Sequence, residues 1–355
     1  MNNQRPTVCI VVACRNEAAH IEAFLDSLVK QDMRGMAWEA IIADGMSDDG
    51  TYEILDRYCA RYDNLHVMKN PGRIVSTGLN AAIRAARGVI ILRMDAHTRF
   101  APDYCIRCVE TLEQTGADNV GGPARTEARG LRARAIAAAY HSPFSTGGAR
   151  FHDVSYEGWV DTVPYGCWRK DTLLRLGLFD ESLVRNQDDE LNLRLARAGG
   201  RIWQSPRIHS WYSSRAELSG LFRQYFQYGF WKVPVIRKHR IPASWRHLVP
   251  VVFVCAAVAL SALPAAAAAG LVPGWLPFAM GLWLSFAAAY TGAVLIASCH
   301  TAMRHQWLVL PYLPAVFAIF HFSYGLGFLT GLLRCLKVTS EQPLPQDSMY
   351  SRITR

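Results

Sequence analysis

The sequence predicts an α/β fold, a mostly parallel sheet with helices on both faces, followed by apolar helices suited to a membrane. Three observations predict it. Short runs that are apolar throughout alternate with amphipathic stretches over the first part of the chain, the pattern of a parallel sheet buried on both faces. Aspartates stand where two of these runs end, at Asp44 and Asp95, and ligands of such sheets bind beyond the carboxyl ends of the strands. The third is a stretch almost free of charge, Leu248–Leu333.

The first strand is the β-branched run Thr7–Ala13, followed by a helix over about Glu17–Val29. Trp38–Ala43 and Leu65–Met68 read as the next strands, with a helix at Tyr52–Ala60 between them. A helix over Thr77–Ala86 and the strand Val89–Met94 complete the series. From Gly121 to Ile208 the pattern is mixed, with one clear helix start at Asp188-Asp189-Glu190, ending at Gly199-Gly200. Leu218–Trp231 is aromatic and amphipathic, as expected of a helix lying in a membrane interface.

Leu248–Gly270, Leu276–Ser298 and Leu308–Leu333 are each long enough to cross roughly 30 Å of hydrocarbon. Pro264, Pro311 and Pro314 leave a kinked or re-entrant segment open as an alternative. The expected division is an α/β catalytic domain over 1–215, a basic amphipathic segment over 216–247, a membrane domain over 248–335 and a polar tail over 336–355.

Of the 355 residues, 51% are hydrophobic and 19% charged, with a net charge of +9. The basic residues form no arm or aromatic-interleaved patch, which argues against nucleic acid. Arg237, Lys238, Arg240 and Arg246 cluster just before the first apolar run, where they suit an anionic membrane surface and place the catalytic part in the cytoplasm. Arg304 agrees with that orientation, whereas Arg334 and Lys337 do not, so the number of crossings stays open. The nine cysteines are scattered. Cys105 and Cys108 form a lone CxxC without a second pair at zinc spacing, so packing along a helix is expected rather than a metal or redox site. Their usage fits a reducing cytosol, and the polar start Met1–Arg5 does not read as a signal peptide.

The turn after the first strand, Ala13-Cys14-Arg15-Asn16-Glu17, holds no glycine, which removes the main support for a dinucleotide-binding dehydrogenase. Asp44 ends a buried strand, where an unpaired carboxylate is costly and where donor groups of a base or ribose would satisfy it. At the end of the fourth strand, alternation puts Asp95 and His97 on one side. That pair suits one Mg²⁺ or Mn²⁺ shared with a diphosphate, and the imidazole tilts the choice toward Mn²⁺. Asp188 opens a helix behind Gln187 and has the chemistry of a general base. Asp189 and Glu190 fit plain complementation of the helix dipole.

Val11-Val12-Ala13-Cys14-Arg15-Asn16-Glu17, Ala43-Asp44-Gly45-Met46-Ser47-Asp48-Asp49-Gly50-Thr51, Asp95-Ala96-His97 and Gln187-Asp188 together resemble, in order and spacing, the inverting family 2 glycosyltransferases of GT-A fold. The resemblance covers roughly Pro6 to Arg240 and is specific in combination. It implies a nucleotide-sugar donor held by Ala13, Arg15, Glu17, Asp44 and Asp95. It also implies a metal at Asp95 and His97, and Asp188 as base. Asn70, Gly72, Arg73 and Asn80 resemble the family's segment before the fourth strand, with Arg73 toward the nucleotide. Val163–Lys170 resembles its acceptor-side turn, where Trp168 either stacks on a sugar or packs as a structural ring.

Three departures stand out. His97 replaces the usual second acid, and Gln187 the glutamate before the base. The processive QxxRW signature is absent; its nearest counterpart is Gln224-Tyr225-Phe226-Gln227-Tyr228, which nominates Gln224 and Gln227 on the acceptor side. One sugar per encounter is therefore expected. The Asp-Ala-His form and the apolar tail look most like bacterial exopolysaccharide glucosyltransferases of the succinoglycan type.

The resulting expectation is transfer of a hexose, glucose from UDP-glucose, to a polyprenyl-diphosphate-linked saccharide at the inner membrane. Transfer to polyprenyl phosphate itself, giving a sugar carrier, is a close variant. A catalytically silent scaffold of an assembly complex is the alternative from another class. A channel is disfavoured by the near absence of ionisable residues in the spans.

Overall fold

The structure is a computed structural model that describes residues 7–337. These residues form two compact units. One comprises the described residues up to Glu127 together with Ala149–Ser213; the other comprises Ala128–Gly148 and the described residues from Ser214 onward.

The first unit begins with β1 (Val8–Cys14), α1 (Ile21–Leu28), β2 (Trp38–Asp44), α2 (Thr51–Arg61), β3 (Leu65–Lys69), α3 (Val75–Ala85) and β4 (Ile90–Met94). The four strands pair in parallel in the order β3-β2-β1-β4. Their apolar residues are buried on both faces, which accounts for runs without alternation. Val8, Ile10 and Val12 pack on one side with Phe24, Leu25 and Leu28 of α1. Cys9, Val11 and Ile91 pack on the other with Leu79, Ala82 and Ile83 of α3. α3 comes so close to the sheet that a Cβ on Gly78 would stand 3.0 Å from the Ala13 Cβ and 2.8 Å from the Asn70 Nδ2.

The chain continues through β5 (Thr98–Phe100), α4 (Tyr104–Thr115), β6 (Asn119–Gly121) and β7 (Thr126–Glu127). After α5 (Leu131–Tyr140) and α6 (Pro143–Thr146), which belong to the second unit, it returns as β8 (Gly158–Val160), β9 (Cys167–Arg169) and α7 (Lys170–Leu176). The helix α8 (Gln187–Arg197), β10 (Ile202–Gln204) and β11 (Ser210–Ser213) close the unit. The eight-stranded order is β3-β2-β1-β4-β9-β6-β10-β8, with β9 antiparallel to β4 and to β6. A small sheet, β5-β11-β7, stands apart from it. The expected mostly parallel α/β fold is the observed one. Cys105 and Cys108 lie on α4 in the core, and burial pushes both thiols up, as inert packing groups require.

Two expectations about organisation change. The first 215 residues are not one domain, because Ala128–Gly148 joins the helical unit. Its α5 carries alanines all round, with Ala135, Ile136 and Ala139 in a core with Leu221, Phe317 and Phe320; a helix without a single apolar face gives no sequence sign of its partner. The aromatic segment is one helix, α9 (Leu218–His239), whose residues Phe226, Gln227, Phe230 and Trp231 are buried.

The second unit also contains α10 (Val249–Ala268), α11 (Leu276–Arg304) and α12 (Leu313–Lys337). The stretches Trp245–Ala268, Leu276–Arg304 and Trp307–Leu336 are long and apolar enough to cross a membrane. The third is 44% buried against 11% for each of the others, because α9 packs on it. A Cβ on Gly229 would stand 2.0 Å from the Tyr324 carbonyl oxygen, and one on Gly327 2.0 Å from that of Phe226. Small residues that let backbones touch are the usual means of joining helices where apolar burial gives little preference. Arg237, Lys238 and His239 fall in the last turn of α9, where they also complement its dipole.

Candidate active site

The turns after β1 and β2 are stitched together by side chains. Asp44, buried at the end of β2, accepts from the Ser47 backbone N–H at 3.0 Å and from its hydroxyl at 2.5 Å. A tight turn returns Ser47 to its own strand end, so Asp44 has a partner within the protein. Ser47 Oγ in turn accepts from the Asn16 N–H at 2.8 Å, and Asn16 Oδ1 accepts from the Asp48 N–H at 3.0 Å. The Glu17 N–H donates to Thr51 Oγ1 at 2.7 Å. Asp49 accepts from Ala18 and Thr51; burial would raise its carboxyl, but these hydrogen bonds hold it below the usual range.

Arg15 sits over this turn, its Cβ 3.0 Å from where a Cβ on Gly45 would be. Its Nε is buried without a hydrogen-bond partner among the described residues, an open donor suited to a ligand acceptor. Ala13 is the neighbour of Ala43 across the β1–β2 pairing. Arg73, exposed and with φ +60°, lies in the turn after β3, which Asn70 holds by bonds to Ile74 O and Thr77. Asn80 is buried, bonding Phe179 N–H and C=O and Glu181, so it anchors that loop.

Asp95 and His97 lie beyond β4, which ends at Met94. They occupy a turn closed by Thr98 N–H to Asp95 O at 3.1 Å, so strand alternation does not place them. His97 Nδ1 stands 3.6 Å from Glu17 Oε1, joining the turn after β1 to that after β4. Among the described residues no group of three or more His, Cys, Asp or Glu could hold a metal ion. The Asp95 and His97 donors fit a Mg²⁺ or Mn²⁺ only with oxygens from a diphosphate completing the shell.

Asp188 is brought to the same place from far along the chain. The N-cap of α8 is Asn186 in the left-handed region. The helix is locked by Glu190, fully buried and bonded to Arg194, which donates to the carbonyls of Leu176 and Leu178. Asn192 is held by Asn119 of β6 and by Thr162. Glu190 is thus a buried anchor in addition to a dipole partner. Arg93, 4% exposed on β4, forms an ion pair with Asp188 and lies 3.6 Å from Asp95. Burial raises the Asp188 carboxyl above its usual range; Arg93 pulls it down and the Asp95 charge pushes it up again. The Asp188 side chain is 39% exposed, so a reactant can reach it.

Trp168 is corrected to a core residue. It lies on β9 opposite Ile91, 2% exposed, edge-on to Phe179 at 6.3 Å, and offers no ring face to a sugar. Gln227 is likewise buried within α9, in the helical unit, 1% exposed, and has no surface for an acceptor. Gln224, half-buried on the same helix, is bonded to Tyr228 and Arg215. Arg93 is the residue that sequence reasoning passed over. Its signal was a charge inside an otherwise apolar strand, Ile-Ile-Leu-Arg-Met.

Carboxylates beyond the ends of parallel strands, faced by an acidic helix start, form the candidate transferase site, and the comparisons with known proteins agree with that class. The Glycosyl transferase family 2 profile matches residues 9–162. The chain is 33% identical over 334 residues to the succinoglycan biosynthesis protein ExoA of Rhizobium meliloti, covering 91% of this chain and 94% of that protein. It is 24% identical to a Methanococcus voltae dolichyl N-acetyl-α-D-glucosaminyl phosphate 3-β-D-2,3-diacetamido-2,3-dideoxy-β-D-glucuronosyltransferase, over 92% and 97% of the two chains. A solved mannosyltransferase of Pyrobaculum calidifontis, in complex with GDP-Man and Mn²⁺, shares the fold with a TM-score of 0.60 at 23% identity, covering 89% and 87%. The chain belongs to the family 2 glycosyltransferases. More particularly, it is a glycosyltransferase related to exopolysaccharide and glycan biosynthesis proteins, with a GT-A fold and three candidate membrane helices.

Proposed function

We propose that this enzyme is an inverting transferase that moves glucose from UDP-glucose to a polyprenyl-diphosphate-linked saccharide during exopolysaccharide synthesis. The observation that carries the reading is the meeting of Asp95 and Asp188 at one buried guanidinium, although one lies just beyond β4 and the other at the start of α8. A donor-side and an acceptor-side carboxylate are what displacement at an anomeric carbon needs. The likeness to ExoA and to an archaeal enzyme named for a lipid-linked acceptor supports the substrate class.

In this reading Arg15 offers its open Nε to the nucleotide, and Glu17, Asp44 and Arg73 line the same strand ends. Asp95 and His97 would hold a Mg²⁺ or Mn²⁺, which would neutralise the diphosphate. Asp188 takes the proton of an acceptor hydroxyl, whose oxygen forms the new bond to the anomeric carbon. The carbon–oxygen bond to the diphosphate breaks on the opposite side, so the configuration inverts. The three apolar helices keep the enzyme at a bacterial inner membrane, where the acceptor resides, with the basic end of α9 on the cytoplasmic side.

The test is a donor screen on purified membranes, with and without Mn²⁺ or Mg²⁺, with the lipid product weighed by mass spectrometry. One hexose added to a lipid-linked saccharide is the expected product; a lipid phosphate bearing a single sugar would indicate a carrier synthase instead. Asp188→Asn should lower transfer by about 10²–10⁴-fold while donor binding remains, and full activity in that variant removes the base from Asp188. Tight donor binding without turnover in any lipid extract would support a silent scaffold.

A further inference from the structure

The ion pair between Arg93 and Asp188 joins segments 95 residues apart in sequence. Arg93 is a fixed post. Its backbone N–H donates to Gly166 O at 3.1 Å, and its residue pairs with Val11 in the sheet. Its guanidinium is almost wholly buried, with one Nη on Asp188 Oδ1 and the other 3.6 Å from Asp95 Oδ1. A buried cation within an apolar strand is costly unless it is paired, and here both partners are site carboxylates. Arginine alone can do this with two arms, because its planar fork spans two acceptors while a lysine ammonium is a single point.

The geometry points to Arg93 as a positioning residue that sets the spacing between the donor-side Asp95 and the base Asp188. It engages Oδ1 of Asp188, and no hydrogen bond to a described residue occupies Oδ2, which is the oxygen left for the acceptor proton. Arg93 touches neither sugar nor nucleotide in this role; it acts through the two carboxylates. The inference rests on Asp188 being the base.

The experiment is a double-mutant cycle on the full-length enzyme in detergent or membranes, with Arg93→Met, Arg93→Lys, Asp188→Asn and the Arg93→Met/Asp188→Asn pair. Turnover per folded molecule is measured alongside UDP binding by tryptophan fluorescence. Arg93→Met should lower kcat by about 10²-fold, the effect expected of a misplaced reacting group, with a much smaller change in UDP affinity and donor KM through Asp95. Arg93→Lys, which keeps the charge and one contact, should recover part of kcat. In the Asp188→Asn background Arg93→Met should cost nothing more, since residues acting as a unit are non-additive. Losses that multiply across the cycle, or an unchanged kcat in folded Arg93→Met, overturn the positioning role while leaving Asp188 as base. Full activity in Asp188→Asn overturns the base assignment and this inference with it. If Arg93→Met does not fold, Arg93→Lys decides: a fall in donor affinity with kcat intact overturns the proposal.

Discussion

In the α/β unit, α3 approaches the sheet at Gly78 with the Asn70 amide wedged beside it, and polar side chains finish the contact. In the helical unit, α9 meets α12 through Gly229 and Gly327, with bare backbone against backbone. The two units keep their chains close for different ends. The first must hold charged groups at set positions, so its turns are tied by hydrogen bonds to Asp44, Ser47, Asn16 and Thr51. The second has apolar surfaces that lipid would solvate as readily as a neighbouring helix does, so close packing carries its association.

The comparison can be broken most severely in the helical unit. Gly327→Val places a Cβ on the Phe226 carbonyl and should cost more than about 3 kcal/mol, read as a lower melting temperature in detergent. Gly281→Val, where a Cβ meets nothing within 4 Å, should leave the melting temperature unchanged. Equal behaviour of the two variants would remove backbone contact as the cause.

Next in size is Trp168→Ala, which empties a core site in the α/β unit and should cost about 3–5 kcal/mol. Thermal unfolding checks it. A raised acceptor KM with stability intact would return Trp168 to the acceptor side.

Glu39→Gln tests whether buried polar ties matter away from the site. Glu39, 1% exposed on β2, accepts from the N–H groups of Arg87 and Gly88 and from the Arg87 side chain. Burial would raise its carboxyl, but these partners outweigh it and hold the group below its ordinary value. Its contribution is therefore complete above the ordinary carboxylate range and is lost as pH falls through the depressed value. The variant should cost about 1–3 kcal/mol at neutral pH and show a flatter loss of stability in acid than the parent. The smallest effect belongs to Arg57→Ala, whose partner Glu22 is exposed; a change within about 0.5 kcal/mol in chemical denaturation is expected.

The sheet strands were legible because runs such as Val8–Cys14 are apolar at every position, and the spans because length alone defines them. Asp44, Asp95 and Asp188 were legible as charges at element ends. Trp168 was ambiguous because a ring on a short strand is written the same way whether it faces a ligand or the core. Gln227 misled because its helix looks amphipathic, while α9 is buried against α12, a segment almost a hundred residues on.

The sequence by itself determined the alternation of strands and helices, the three apolar spans and the acidic residues at the strand ends, since each depends on local periodicity or length. The tertiary structure decided which of those residues meet. Arg93 became the link between Asp95 and Asp188 only when the α8 start was brought to β4, and α5 joined the helical unit only when α9 and α12 offered it a surface. Such contacts depend on distances between segments far apart in the chain, and no local pattern encodes them.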